Sequence, residues 1–254
     1  MKKIFVCSII ILAFGCGKET ARDKMGDAQI CLDKAAQSST SSSVDTCLAK
    51  IADVQTTSAD NLRCSGAFVK EGFFNASKLI AAFSNASGGA ASSAFLSSVV
   101  FSGGSTNGAA LNSTNIATYY TTAKSTSTYC ASAGLKVGTL ITTFSFLGNL
   151  FIKLGCDAGA TCGVGYLTSF SSGADAVSTA AYLAGPGNLT AITQLESDLG
   201  TLVINSYLIS CIGTVPSQTL CDSVTTAVSQ GGGVSSPTGV GKKFLGNLFG
   251  VTLP

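Results

Sequence analysis

Apolar positions along this chain fall mostly at helical spacing. Ala28, Cys31, Leu32 and Ala35 repeat at i, i+3, i+4, i+7, and Val44, Cys47, Leu48 and Ile51 repeat the pattern sixteen residues later. Such stripes predict two short amphipathic helices. The polar run Ser38 to Ser43 between them is long enough to reverse the chain. From about Ser58, the positions Leu62, Val69, Phe73, Ala76, Ile80 and Phe83 predict a longer helix that stops at Gly88-Gly89. A short apolar helix follows over Ala90 to Phe101, then a Gly-rich loop over Ser102 to Gly108. Ile116, Tyr119, Tyr120 and Ala123 fit a helix, although the Thr and Tyr content of Thr114 to Tyr129 suits a strand equally.

Leu135 to Gly155 is the most apolar stretch after the first residues. Sixteen uncharged residues, Val137 to Ile152, lie between Lys136 and Lys153, interrupted by Thr139, Thr142, Thr143, Ser145 and Asn149. A membrane span needs about 20 predominantly apolar residues, so a buried central helix is the preferred reading. Cys156 to Gly165 reads as a Gly-rich loop stapled by its own cysteines or to a neighbouring helix, and Tyr166 to Ala184 as weakly helical up to the turn Gly185-Pro186-Gly187-Asn188. Ile192, Leu195, Leu199, Leu202, Ser206 and Ile209 predict a long helix, with Asn188 or Thr190 as N-cap and Glu196 and Asp198 on its opposite face. After a break at Gly213 to Pro216, Leu220, Cys221, Val224 and Val228 mark one more. Residues 231–241 read as a Gly/Ser/Pro linker, and residues 242–254 as a short appendage packed on the domain. The appendage repeats one hexapeptide: Phe146-Leu147-Gly148-Asn149-Leu150-Phe151 recurs as Phe244 to Phe249. The whole predicts a mainly α fold, a disulfide-stapled bundle of roughly six to eight helices over 21–230, with a sub-boundary near 102–110.

The first residues have a separate logic. Met1-Lys2-Lys3 is a short positive head, and Ile4 to Phe14 is apolar except for Ser8. That is the pattern of a secretory signal peptide over 1–15, too short to cross a bilayer as a helix. The segment ends in Ala13-Phe14-Gly15-Cys16, which resembles the lipobox of bacterial lipoproteins, in the relaxed form of spirochaetal ones. It departs from the usual pattern in carrying Ala13 in place of Leu and a bulky Phe14. The resemblance covers residues 1–16. It implies cleavage of the Gly15–Cys16 bond, diacylglycerol in thioether linkage on Cys16 and an acylated new amino terminus, with 16–20 as the tether. Each buried methylene contributes about 0.8 kcal/mol, so two or three chains anchor firmly where one only dwells.

Loss of Lys2 and Lys3 with the leader lowers fifteen basic side chains to thirteen, equal to the thirteen acidic ones. A neutral chain offers no field for phosphate backbones, and nucleic acid is excluded as a partner. Charged residues are 11% of the chain against 46% hydrophobic, which argues for a folded body. Of ten cysteines, Cys7 lies in the leader and Cys16 at the anchor; Cys31, Cys47, Cys64, Cys130, Cys156, Cys162, Cys211 and Cys221 remain. An even set in an exported protein reads as a disulfide framework. Bridging Cys31 to Cys47 across the first reversal is sterically reasonable, with Cys47 to Cys64 as the rival. The paired Cys-x2-Cys knuckles of a zinc site are absent, and no metal or cofactor is expected.

The chain contains no histidine, which removes Ser-His-Asp and Cys-His nucleophilic sites. Thr121-Thr122-Ala123-Lys124 is the nearest relative of a Ser-x-x-Lys arrangement, and Gly72 to Cys156 holds no carboxylate. No catalytic residues are assigned. The expectation is a non-catalytic structural or interaction protein of the bacterial envelope, held by lipid to the outer membrane in preference to the inner, with a protein partner in the envelope or on a host. Two rivals stand beside it: a membrane-inserting oligomer that uses 135–155 and the terminal segment, and a carboxylate-dependent envelope hydrolase.

Overall fold

A computed structural model describes residues 19–38, 41–73, 93–103, 111–169, 173–213, 218–249 and 253. The leader, Cys16 and the second half of the expected 58–88 helix lie outside the described residues. Eleven α-helices and no strand occur among the described residues. They are α1 (Ala21–Ser38), α2 (Ser41–Ala49), α3 (Thr57–Lys70), α4 (Ser93–Val99), α5 (Ile116–Ser132), α6 (Lys136–Asp157), α7 (Tyr166–Ser169), α8 (Gly173–Ala184), α9 (Leu189–Ser210), α10 (Gln218–Gln230) and α11 (Pro237–Phe249). The count exceeds six to eight because the weakly helical 166–184 stretch splits in two and the terminal segment is itself helical.

The expected hairpin forms as α1 and α2. Asp23 accepts from the Thr20 hydroxyl (2.6 Å) and amide (3.1 Å) while Thr20 Oγ1 accepts from the Asp23 amide, a reciprocal cap that satisfies free donors at the helix start. Ala28, Leu32, Ala35, Val44, Cys47 and Ile51 are buried together with Ala59 and Leu62 of α3 in a small core. Arg63 braces this unit. Its guanidinium donates to the Ile51 and Val54 carbonyls at 2.8 and 2.7 Å, pairs with Asp60 at 2.8 Å and lies 5.4 Å from the centre of the Tyr129 ring.

The third helix is shorter than its stripe suggested. It ends at Lys70, where Gly72 adopts a left-handed φ of +72° and the Phe73 amide bonds back to the Phe68 carbonyl at 2.9 Å. That turn is a Schellman-type stop that glycine permits without a Cβ clash. Glu71, 1% exposed, accepts from the Ser102 and Gly103 amides at 2.7 and 3.1 Å. A pattern of apolar spacing cannot register such a stop, because Phe73 stays buried on the far side of it.

The larger core surrounds α6. Phe144, Phe146, Leu147, Leu150, Phe151 and Ile152 are all at most 1% exposed, which matches the buried central helix read from 135–155. By length and composition α6 could cross a membrane, yet 83% of its most apolar window is buried inside the protein. Its polar side chains face neighbouring helices: the Thr143 hydroxyl meets those of Ser127 on α5 and Ser206 on α9, and Ser210 Oγ donates to the Lys136 carbonyl at 2.6 Å. The ambiguous 114–129 stretch is helical in α5. Thr121, Thr122, Ser125 and Thr126 each donate their hydroxyl to the carbonyl four residues back, so the hydroxyls that lower helix propensity are absorbed by the helix itself.

The reading of 231–241 as a linker is overturned from Pro237 onward. Residues 237–249 form α11, with Val240 and Leu245 fully buried. Glycines make this possible: a Cβ on Gly200 of α9 would overlap the Pro237 carbonyl, and one on Gly241 would overlap the Glu196 carbonyl. The two backbones touch, as small residues allow. The α9 face that carries Glu196 is consequently covered by α11, not turned away from all packing.

Candidate functional site

Cys16 lies outside the described residues, and the described chain begins at Glu19, two residues before α1. Behind it, the eight remaining cysteines form four bridges. Cys31 pairs with Cys47 (Cα–Cα 5.4 Å), the pairing preferred from the hairpin geometry over Cys47 to Cys64. Cys64 instead joins Cys130 across 66 residues, linking α3 to α5 at 5.1 Å. Cys156 closes a local loop with Cys162, and Cys211 joins Cys221 around the α9–α10 corner. Among the described residues no group of three or more His, Cys, Asp or Glu side chains has metal-holding geometry.

Most described carboxylates have structural partners. Asp53, Asp45 and Asp157 pair with Lys24, Lys70 and Lys153. Lys24 beside Asp53, and the hydroxyl and amide of Thr20 beside Asp23, hold those carboxyls below the ordinary range. Asp198 bonds Lys124 at 2.6 Å and accepts from the Tyr120 hydroxyl at 3.4 Å. Burial, reinforced by the Asp198 charge, holds that phenol well above its usual value. Thr121 meanwhile donates to the Ala117 carbonyl, so the Thr121 and Lys124 pair resembling Ser-x-x-Lys is committed elsewhere at both ends. Tyr166 is pushed up to about 12 by burial and shares a hydrogen bond with Thr179.

Glu196, expected on the face of α9 opposite its apolar stripe, is instead enclosed. Its side chain is 4% exposed at the α9–α11 seam, and Oε1 has no hydrogen-bond partner. Burial raises its carboxyl above the ordinary 4.5, partly opposed by the charge of Lys242. A raised carboxylate favours the fold while protonated. Its contribution is therefore complete below pH about 4.5 and is lost as pH rises through the raised folded value. Glu196→Gln is expected to flatten the decline in melting temperature over that window, measured by calorimetry at half-unit pH steps. An unchanged slope would show that another group causes it.

An open groove of about 590 Å³ runs between α1 and α2, lined by Asp27, Ile30, Cys31, Lys34, Ala35, Ser43 and Lys50. Ile30 is 56% exposed there. Lys50 approaches Asp27 only to 3.9 Å. The groove offers a shallow mixed surface with no convergent buried polar groups of the kind that fixes a small ligand. The chain matches no protein-family model, no curated protein and no solved structure.

Proposed function

We propose that this protein is a lipid-anchored lipoprotein of the bacterial envelope with a non-catalytic structural or interaction role. What carries the reading is the pairing of all eight cysteines beyond Cys16 into bridges, since such sets persist in oxidising compartments outside the cytoplasm. The positive head, the apolar run and the Gly15-Cys16 junction provide a route of export and an anchor. A non-catalytic role rests on the engagement of Asp45, Asp53, Asp60, Asp157, Asp198 and Glu71 in ion pairs and backbone contacts. A carboxylate pair working as acid and base needs two free groups converging on one substrate position. The burial of α6 counts against the membrane-inserting alternative, because its apolar face is already occupied by neighbouring helices.

The anchor is tested with Cys16→Ser in the native host. The wild-type chain is expected to incorporate labelled palmitate and to enter the detergent phase of a Triton X-114 separation. The variant should lose the label and move to the aqueous phase. A variant that keeps both properties would overturn the lipoprotein reading.

A further inference from the structure

The four bridges differ in accessibility, and only Cys64–Cys130 is buried at both ends. Cys47, Cys64, Cys130 and Cys221 are buried, Cys31, Cys156 and Cys211 are half-buried, and Cys162 alone is exposed. Cys156–Cys162 also closes the shortest loop, six residues apart, against 10, 16 and 66 for the others. Attack on a disulfide requires a thiolate to reach one sulfur, and Cys162 is the exposed residue among the eight.

The loop that carries this bridge is held by contacts independent of the S–S bond. At the end of α6 the Ala158 amide donates to Leu154 at 2.8 Å and the Ala160 amide to Gly155 at 2.9 Å, with Gly159 at a φ of +69°. Beyond it, the Thr161 amide donates to Asp175 of α8 at 3.0 Å, and Asp175 also accepts from Ser169. The buried ring of Tyr166 lies directly against Gly155, where a Cβ would collide with it. These contacts tie down both ends of the loop, whose cysteine Cα atoms lie 4.5 Å apart, without using the sulfurs. A Cys156 thiolate held beside a mixed disulfide at Cys162 attacks it at high effective concentration.

We propose that the Cys156–Cys162 bridge is a reversible thiol–disulfide exchange site for a thiol carried on a neutral or cationic partner, and that the other three bridges are structural. An incoming thiolate bonds to Cys162 Sγ, the bond to Cys156 breaks, and Cys156 leaves as a thiolate that takes a proton from water. The product is a mixed disulfide at Cys162. A second thiolate releases the partner as its own disulfide and leaves two thiols. Alternatively, Cys156 attacks back, which restores the bridge and frees the original thiol. The charge preference comes from the surroundings: carboxylates of Asp157 and Asp175 flank the loop, with Lys153, paired to Asp157, as the cation beside them.

The experiment uses the full chain with its free thiols first blocked by N-ethylmaleimide. It is exposed to graded cysteamine, glutathione or dithiothreitol, quenched with a second alkylating agent and mapped by mass spectrometry. Label is expected on Cys156 and Cys162 at least tenfold faster than on any other pair, with helical circular dichroism unchanged. Cysteamine should outpace glutathione severalfold at equal thiolate concentration and low salt. Earlier or simultaneous labelling of another bridge, or loss of helical signal with the first, would overturn the proposal. Faster reaction with glutathione would overturn its charge preference. The C156S/C162S double variant provides a second readout: it should fold and lack the fast phase, and a fast phase that persists would place the exchange elsewhere.

Discussion

Replacing both Cys64 and Cys130 with alanine is expected to lower stability by about 4 kcal/mol, a fall in melting temperature of roughly 8–16 °C. The bridge spans 66 residues, the widest of the four. In the chain-entropy account, a cross-link restricts the unfolded ensemble more as the loop it closes lengthens. Its location adds a native-state reason. Cys64 lies on α3, the helix that contributes Leu62 to the small α1–α3 core and Ala67 to the larger core around α6. Alanine suits both positions because each cysteine is completely buried. The matched comparison is C156A/C162A, whose six-residue loop gives about 2 kcal/mol by the same account. Calorimetry of the two double variants side by side decides the matter. Equal losses would mean that loop size and the α3–α5 link have no special weight.

Gly200→Ala is expected to cost about 3 kcal/mol, or some 6–12 °C in melting temperature, despite replacing glycine in a helix with the best helix former. The added Cβ would overlap the Pro237 carbonyl and crowd the Gly241 amide, and backbone atoms cannot rotate aside as a side chain can. The α9–α11 pair would have to separate, uncovering Val240 and Leu245, which are fully buried. Gly26→Ala is the control. Gly26 lies within α1, and nothing comes within 4 Å of the place its added methyl group would occupy, so intrinsic propensity should dominate and raise stability by about 1 kcal/mol. Opposite signs for one chemical change would establish that backbone contact, and not helix propensity, governs position 200. A neutral Gly200→Ala would mean that α11 is not seated against α9 in solution.

These two expectations mark where sequence reading succeeded and where it ran out. The Cys31–Cys47 hairpin was legible because both residues sit on short stripes joined by one polar reversal, and local spacing alone fixes their relative heights. For the Cys156–Cys162 loop, spacing left a local staple and a bridge to a neighbouring helix both open, and the structure has the local one. Cys64–Cys130 was not, since pairing across 66 residues depends on which helices pack together. Gly72 ended α3 where the apolar stripe continued, and the glycines of 231–241 suggested a flexible linker when Gly239 and Gly241 belong to a helix. Glycine is ambiguous in a sequence: it marks a loop where the backbone must bend, and equally a seam where two backbones must touch.

The chain by itself determined its helical class and its paired cysteines, because apolar periodicity and cysteine parity are local properties. Only tertiary structure decided that α6, long and apolar enough for a bilayer, is buried among its neighbours, that α11 closes over Glu196, that the α3–α5 bridge joins two cores, and that Cys162 is exposed while the other seven paired cysteines are half-buried or buried. Those outcomes depend on which surfaces meet, and a free energy of packing is shared among residues far apart in sequence.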